Sequence, residues 1–211
     1  MRPHTLILNA DYGPHNVVQW KDGITYVVAG TGIALVNYKN EFIRSPRVVY
    51  PQPAVVLFSR LKSRRPRVRF KAENVLARDC WFCTFCGTRP TKRDGSVDRD
   101  ALTMDHVIPK SVGRKNGGRV WLPWAKKWVP QTCWLNAVTA CEPCNRRKGN
   151  HAPAEAHMAL RYMPRNPTAA DVLRMKLARV KAIPEEWDAW LPSGWRNELG
   201  VTAVENVART G

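Results

Sequence analysis

The residues of this 211-residue chain that could do chemistry gather in two short pieces. Asp105-His106-Val107-Ile108-Pro109 sets a carboxylate beside an imidazole. The stretch from Asn136 to Asn150 (NAVTACEPCNRRKGN) carries carboxamides at Asn136 and Asn145 and ends in a basic run. With Cys83-Thr84-Phe85-Cys86 upstream, one segment holds a histidine, a carboxylate, two carboxamides and four thiols. An imidazole with an ordinary pKa of about 6.5 is a free base at neutral pH. Carboxylate and amide oxygens are hard donors that favour Mg²⁺ or Mn²⁺, whereas thiolates favour zinc. These groups suffice for one oxygen-lined metal site that does chemistry and one sulfur-lined site that holds shape.

The sulfur site is read from spacing. Cys83-x-x-Cys86 and Cys141-x-x-Cys144 are two knuckles of identical spacing, each supplying half a tetrahedron, and Gly87 permits the tight backbone such turns need. The spacing predicts a zinc ion held by Cys83, Cys86, Cys141 and Cys144, closed to further ligands and therefore structural. Cys80 and Cys133 are left as bystanders. Cys80-x-x-Cys83-x-x-Cys86 also permits an iron–sulfur reading, which lacks a closely following fourth cysteine.

At this point the chain resembles the HNH endonucleases, in particular their zinc-stapled bacterial and phage branch. The resemblance rests on Asp105-His106-Val107-Ile108-Pro109-Lys110, Trp134-x-Asn136 and Ala140-Cys141-x-x-Cys144-Asn145-x-x-Lys148-Gly149-Asn150. Leu8-Asn9-Ala10-Asp11-Tyr12 and Ala77-Arg78-Asp79 look similar to that branch too, so the resemblance covers most of residues 5 to 165. There are two departures. Residues 112 to 132 are longer than the usual connection, and Asn145 stands where many members have histidine. The resemblance implies a ββα-metal core: two strands, with Asp105-His106 on the first, then a helix that brings Asn145 back to face them.

The implied activity is hydrolysis of DNA phosphodiester bonds, leaving 5′-phosphate and 3′-hydroxyl ends. His106 is expected to deprotonate water as general base. Asp105 and Asn145 are expected to bind one Mg²⁺ or Mn²⁺; this single carboxylate leaves net positive charge for the phosphate, and a two-metal mechanism would need more carboxylates. Neighbours alternate along an ideal strand, so a bulge or a strand end is needed to bring Asp105 and His106 to one site. By resemblance, Asn136 stays off the metal and hydrogen-bonds the loop backbone to hold His106 in register. Lys110, Arg146, Arg147 and Lys148 are expected to contact phosphates, with solvated side chains as the alternative. His151, just past the helix, is a weaker candidate to assist the leaving group.

The elements that must position these groups come next. The fold class is expected to be α+β, in three parts: an N-terminal α+β unit over residues 1 to 69, a core over 70 to 165 and a C-terminal helical extension over 166 to 211. In the first part, Leu6–Leu8, Ile33–Val36 and Ala54–Phe58 are predicted strands and Trp20–Ala29 a helix closed by Gly30. It carries no recognisable chemistry and suits a scaffold or a DNA contact. Arg60 to Lys71 is a basic stretch, and Val68 and Phe70 alternate with Arg67, Arg69 and Lys71 as a strand showing phosphates a basic face would. Glu73–Asp79 leads helically into the first knuckle. Helices are also predicted over Pro153–Tyr162, from an N-cap at Thr168 to Val180, and from Pro184 with Trp187 and Trp190. Within 112 to 132, Trp121, Trp124 and Trp128 beside Lys126 and Lys127 form either a base-stacking surface or, as favoured here, a small satellite core.

Charge points to the partner. The formal net charge of +17, from 34 Lys+Arg against 17 Asp+Glu, attracts a polyanion and predicts salt-sensitive binding to DNA. No apolar run is long enough to span a membrane, and the N-terminus lacks a signal-peptide core, so a cytoplasmic protein of a bacterial host or its phage is expected. Reduced thiols there favour metal ligation over disulfides. A homodimer, or a phage or bacterial protein partner, is compatible with the sequence. Two rivals stay open: a zinc-stapled module that binds nucleic acid without cutting it, and a structure-selective RNA nuclease.

Overall fold

The computed structural model describes residues 3–60, 68–180, 182–195 and 199. The chain folds as two compact units, one built from residues 1–65 with 176–211 and the other from 66–175. Both mix helices with small sheets.

In the first unit β1 (Thr5–Leu8), β2 (Pro14–Val18), β3 (Gly32–Arg44) and β4 (Val49–Phe58) form one sheet in the order β2-β1-β4-β3. β1 runs parallel to β4 and antiparallel to β2, so it lies inside the sheet, and all four of its residues are buried. That explains why it reads as a continuous apolar run and not as an alternation. Helix α1 (Trp20–Val28) packs on this sheet, with Ile7, Val56 and Phe58 meeting Val18, Tyr26 and Val27. The expected Trp20 helix and its closure by Gly30 (φ +67°) are present. Gly23, in mid-helix, is needed for close approach, since a Cβ there would collide with the Thr5 side chain. The β3–β4 ribbon extends well beyond the expected strands; its outer part, Phe42–Arg44 against Val49–Pro51, is exposed or half-buried on both faces. The turn at Pro184 forms a short 3-10 helix, Glu185–Trp187, whose Trp187 is fully buried and donates its indole N–H to Ala54 O at 2.9 Å.

The second unit begins with α2 (Ala72–Arg78), which packs on an antiparallel pair, β5 (Leu102–His106) and β8 (Ala137–Cys141). Between these strands come α3 (Lys110–Lys115) and a hairpin of β6 (Arg119–Leu122) and β7 (Lys127–Pro130). Helix α4 (Glu142–Lys148) follows β8 directly, and α5 (Ala169–Leu177) crosses from this unit into the first at its last turn. Thr168 caps α5, its hydroxyl accepting from Asp171 N–H at 3.3 Å. The helix expected over Pro153–Tyr162 does not form. One turn closes with Met158 N–H donating to Pro153 O, His157 takes φ +50°, and the chain then extends past the first knuckle, where Arg161 N–H donates to Thr84 O at 2.9 Å. That long-range hydrogen bond outweighs local helix preference. Of the basic stretch from Arg60 to Lys71, positions 61–67 lie outside the described residues. Among the described residues no helix is long and apolar enough to cross a membrane.

Candidate active site and metal centre

The four knuckle cysteines meet. The sulfurs of Cys83, Cys86, Cys141 and Cys144 all lie within 4.8 Å of one another, with Cys86 and Cys141 3.7 Å apart. A tetrahedral zinc with bonds of about 2.3 Å has sulfur–sulfur edges of about 3.8 Å, so the cluster fits zinc. The first knuckle closes by hydrogen bonds from Gly87 N–H to Cys83 O and from Cys83 N–H to Thr88 O, both 2.8 Å, with Gly87 at φ +79°. Crowding makes the bare cluster costly. Burial and the neighbouring sulfurs push the Cys144 thiol up; at Cys86 burial also acts upward, but the Thr88 hydroxyl and N–H, with Cys83 and Cys141, outweigh it and draw the thiol down to about 6. A cation in the middle converts that conflict into coordination. Cys80 and Cys133 lie outside this group.

The first knuckle precedes the second group of residues, and the second knuckle opens the helix that carries Asn145 and Lys148. The β5–β8 ladder runs without a register shift from Leu102↔Cys141 to His106↔Ala137. No bulge turns Asp105 and His106 to a common side, so His106 achieves its placement by being the last residue of the strand. Thr103 and Asp105 share the face of β5 that meets α4. There Asn145 Nδ2 donates to Thr103 Oγ1 at 3.0 Å, and Lys148, one turn further on, reaches Asp105. Asn145 thus spends its amide N–H₂ on Thr103, and its carbonyl oxygen is the atom that could serve as a ligand.

Lys148 has a different role from the expected phosphate contact. Its side chain is 1% exposed, with Nζ 3.0 Å from Asp105 Oδ2, 3.2 Å from Asp105 Oδ1 and 2.8 Å from the His106 carbonyl. Oδ2 is close enough for an ion pair but lacks hydrogen-bond geometry, and it is a buried carboxylate oxygen with no hydrogen-bond partner. Burial raises the Asp105 carboxyl above the ordinary aspartate range, while the Lys148 ammonium pulls it back down. Asp105 and Asn145 supply hard oxygen donors of the kind a divalent cation takes, with the carboxylate here paired to the Lys148 ammonium.

His106 is 9% exposed, and its Nε2 lies 3.3 Å from Thr132 Oγ1. Burial, then the charges of Lys110 and Lys148, bring its pKa down to about 4, so the ring is neutral at pH 7. Asn136 is fully buried in a 3-10 turn, Trp134–Asn136. Its Oδ1 accepts from Ile108 N–H at 2.8 Å, and its Nδ2 donates to Ile108 O at 3.0 Å and Gln131 O at 2.8 Å. Its own carbonyl accepts from Val107 N–H at 3.0 Å. Asn136 thus ties the segment leaving His106 to the segment arriving through Thr132.

A buried pair supports this group from behind. Arg78 grips Asp79 through two hydrogen bonds, of 2.7 and 3.0 Å, and donates to the carbonyls of Trp134, Ala137 and Arg165. Asp79 Oδ2 accepts from Thr139 N–H and Oγ1, which clamps α2 onto β8. Lys110, Arg146 and Arg147 are exposed; Arg146 pairs with Glu142 and Arg147 donates to His157 O. His151 is exposed, 3.9 Å from Glu155. Sequence reasoning missed Thr103, Thr132 and the burial of Lys148. The i, i+3 spacing of Asn145 and Lys148 was the available signal for the last of these, since it sets both on one face of α4.

Comparison with known proteins adds one finding. Residues 5–66 match the family model described as HNH endonuclease-associated, N-terminal domain. No curated protein and no solved structure matches the chain. The match falls on the first unit, upstream of both candidate sites, and includes the Leu8–Tyr12 stretch noted above. The chain therefore carries an HNH endonuclease-associated N-terminal domain and is consistent with a protein of the HNH family.

Proposed function

We infer that this protein is a metal-dependent HNH endonuclease that hydrolyses DNA phosphodiester bonds by a one-metal mechanism, leaving 5′-phosphate and 3′-hydroxyl ends. One observation carries the reading most: a neutral, buried His106 ends a strand whose preceding residue, Asp105, lies with Thr103, the partner of Asn145, on the face that meets α4. Strand β5, strand β8 and helix α4 then constitute the ββα-metal core, and the cysteine cluster at their junction is a structural zinc site.

In this mechanism Asp105 and Asn145 would hold Mg²⁺ or Mn²⁺. Once bound, that ion supplies positive charge for the scissile phosphate and the departing 3′ oxygen. His106 takes a proton from the attacking water at its free ring nitrogen, and Thr132 and the carbonyl-anchored strand end fix the ring's direction. Asn136 sets the spacing of the loops on either side. Lys110, Arg146 and Arg147 lie exposed for phosphate contacts, and the +17 charge favours their encounter with DNA.

The direct test is incubation of supercoiled plasmid with the protein and Mg²⁺. Nicked or linear product is expected, lost in His106→Ala, Asp105→Ala and Asn145→Ala while zinc content stays unchanged. The rival, a zinc-stapled module that binds without cutting, is favoured by the Asp105–Lys148 ion pair, which by itself is a complete structural explanation of a buried aspartate. Retardation of DNA without cleavage in both Mg²⁺ and Mn²⁺ would establish the rival. Matched RNA substrates separate the DNA nuclease from an RNA nuclease.

A further inference from the structure

Between Asp105 and Glu142 the chain has six cations, Lys110, Arg114, Lys115, Arg119, Lys126 and Lys127, and not one carboxylate. The β6–β7 hairpin occupies the middle of this stretch. Val120, Leu122 and Val129 point inward and pack with Ile108, Trp124, Ala125, Cys133 and Leu135. So the satellite core exists, and Trp124 belongs to it. Trp121 and Trp128 do not. They sit opposite each other in the ladder, on the outer face, 45% and 48% exposed.

Large apolar side chains are costly to leave in water, and a paired set on one face marks an interaction site. Cross-strand aromatic pairing stabilises a hairpin, but it does not account for this arrangement in full. The two rings lie 6.1 Å apart and are tilted by 59°, so neither covers the other's face. Arg119, Lys126 and Lys127 of the same hairpin are exposed, and Arg119 is fixed along it by donating to Trp128 O at 2.9 Å. Open π faces within an all-cationic segment match unpaired bases on a phosphate backbone.

The hairpin is tied to the candidate active site. Gln131 N–H donates to Gly118 O at 2.8 Å, closing the hairpin's base, while Gln131 O accepts from Asn136. The next residue, Thr132, meets His106. Trp128 is four residues from Thr132, a reach of at most about 14 Å of extended chain.

We propose that Trp121 and Trp128 form a stacking platform for unpaired bases of a DNA strand, held a few nucleotides from the bond at His106. The occupant named here rests on the nucleic-acid reading above. The platform gives the protein a preference for single-stranded or locally opened DNA over intact duplex.

The test is fluorescence anisotropy in magnesium-free buffer, with labelled oligothymidylate and a labelled duplex of equal length. Loss of base–aromatic stacking corresponds to roughly 5- to 150-fold in affinity per base. W121A/W128A should bind oligothymidylate at least about 10-fold more weakly, change duplex affinity less than about 2-fold, and lower the melting temperature by no more than about 4 °C, the share of the lost cross-strand pair. W121F/W128F should recover most of the loss. Equal loss on both substrates, or no loss on either, overturns the platform. So does a shift from dimer to monomer in sedimentation with unchanged affinity, which assigns the patch to self-association. Plasmid cleavage is scored separately: cleavage without tryptophan-dependent strand preference removes the platform alone, and the preference without cleavage removes the nuclease alone.

Discussion

Replacing Lys148 with methionine tests the geometry at its most specific point. Methionine keeps most of the length and the apolar packing but removes the ammonium. It strips the Asp105 carboxylate and the His106 carbonyl of their common partner, with contacts of 3.0, 3.2 and 2.8 Å lost together. Both side chains are nearly inaccessible, 1% and 10% exposed, so water cannot readily replace the ammonium. Removing one member of such a pair typically costs about 3–5 kcal/mol, chiefly from the charge left behind. For a chain of this size that corresponds to roughly 6–20 °C in Tm. The double variant D105N/K148M, with no stranded charge, should recover much of the loss. A double-mutant cycle read by urea unfolding measures the coupling. Mg²⁺ adds a second readout. With Asp105 free of its ammonium, the site should bind the ion more tightly, so Mg²⁺ should raise Tm more in K148M than in the parent. A K148M protein that melts with the parent refutes the buried pair. Destabilisation without any Mg²⁺ response refutes Asp105 as a metal ligand and favours the binding module.

Three further outcomes can be measured. Asn136→Ala should cost about 3 kcal/mol, at about 1 kcal/mol for each of its three side-chain hydrogen bonds, while Asn136→Asp should cost at least as much because its second oxygen faces the Ile108 and Gln131 carbonyls; thermal melts that leave both variants at the parental Tm would contradict the positioning role. Elemental analysis should find one zinc per chain, lost with a large drop in Tm in Cys83→Ser but retained in Asp105→Ala; equal zinc loss in both would contradict two separate sites. Burial alone would raise the Asp171 carboxyl, but Arg165 and the Thr168 N–H and hydroxyl outweigh it and hold its pKa below the ordinary 3.8. Its contribution to stability is then fully present above pH 3.8 and lost as pH falls through the lower folded value, so the gap in unfolding free energy between parent and Asp171→Asn should narrow only below about pH 4. A gap that is constant down to pH 2 would sink this assignment.

What could be learned from the chain alone was whatever depends on short-range spacing. A CxxC turn directs both thiols to one side wherever it occurs, so two such turns announced a four-sulfur site before any fold was known. The same holds for α1 with its closing Gly30 and for the apolar runs of β1 and inner β4, because burial on both faces leaves a local signature. The Asp105-His106 and Asn145 positions could be read from side-chain chemistry only as candidate donors and a candidate base.

Tertiary structure decided everything that depends on which distant groups share a dry space. Lys148 reads as one cation of a basic run, and only the docking of α4 on β5 turns it inward to Asp105. Thr103 and Thr132 have no distinguishing local pattern; the strand register and the end of the ladder at His106 give them their partners. The three tryptophans of the hairpin have the same composition signal, yet the turn sends Trp124 to the core while β-pairing sets Trp121 and Trp128 in water. Local spacing determines which chemistry a chain can carry, because it is set by covalent geometry. The desolvation and long-range pairing that decide which residues perform it exist only once the chain has folded.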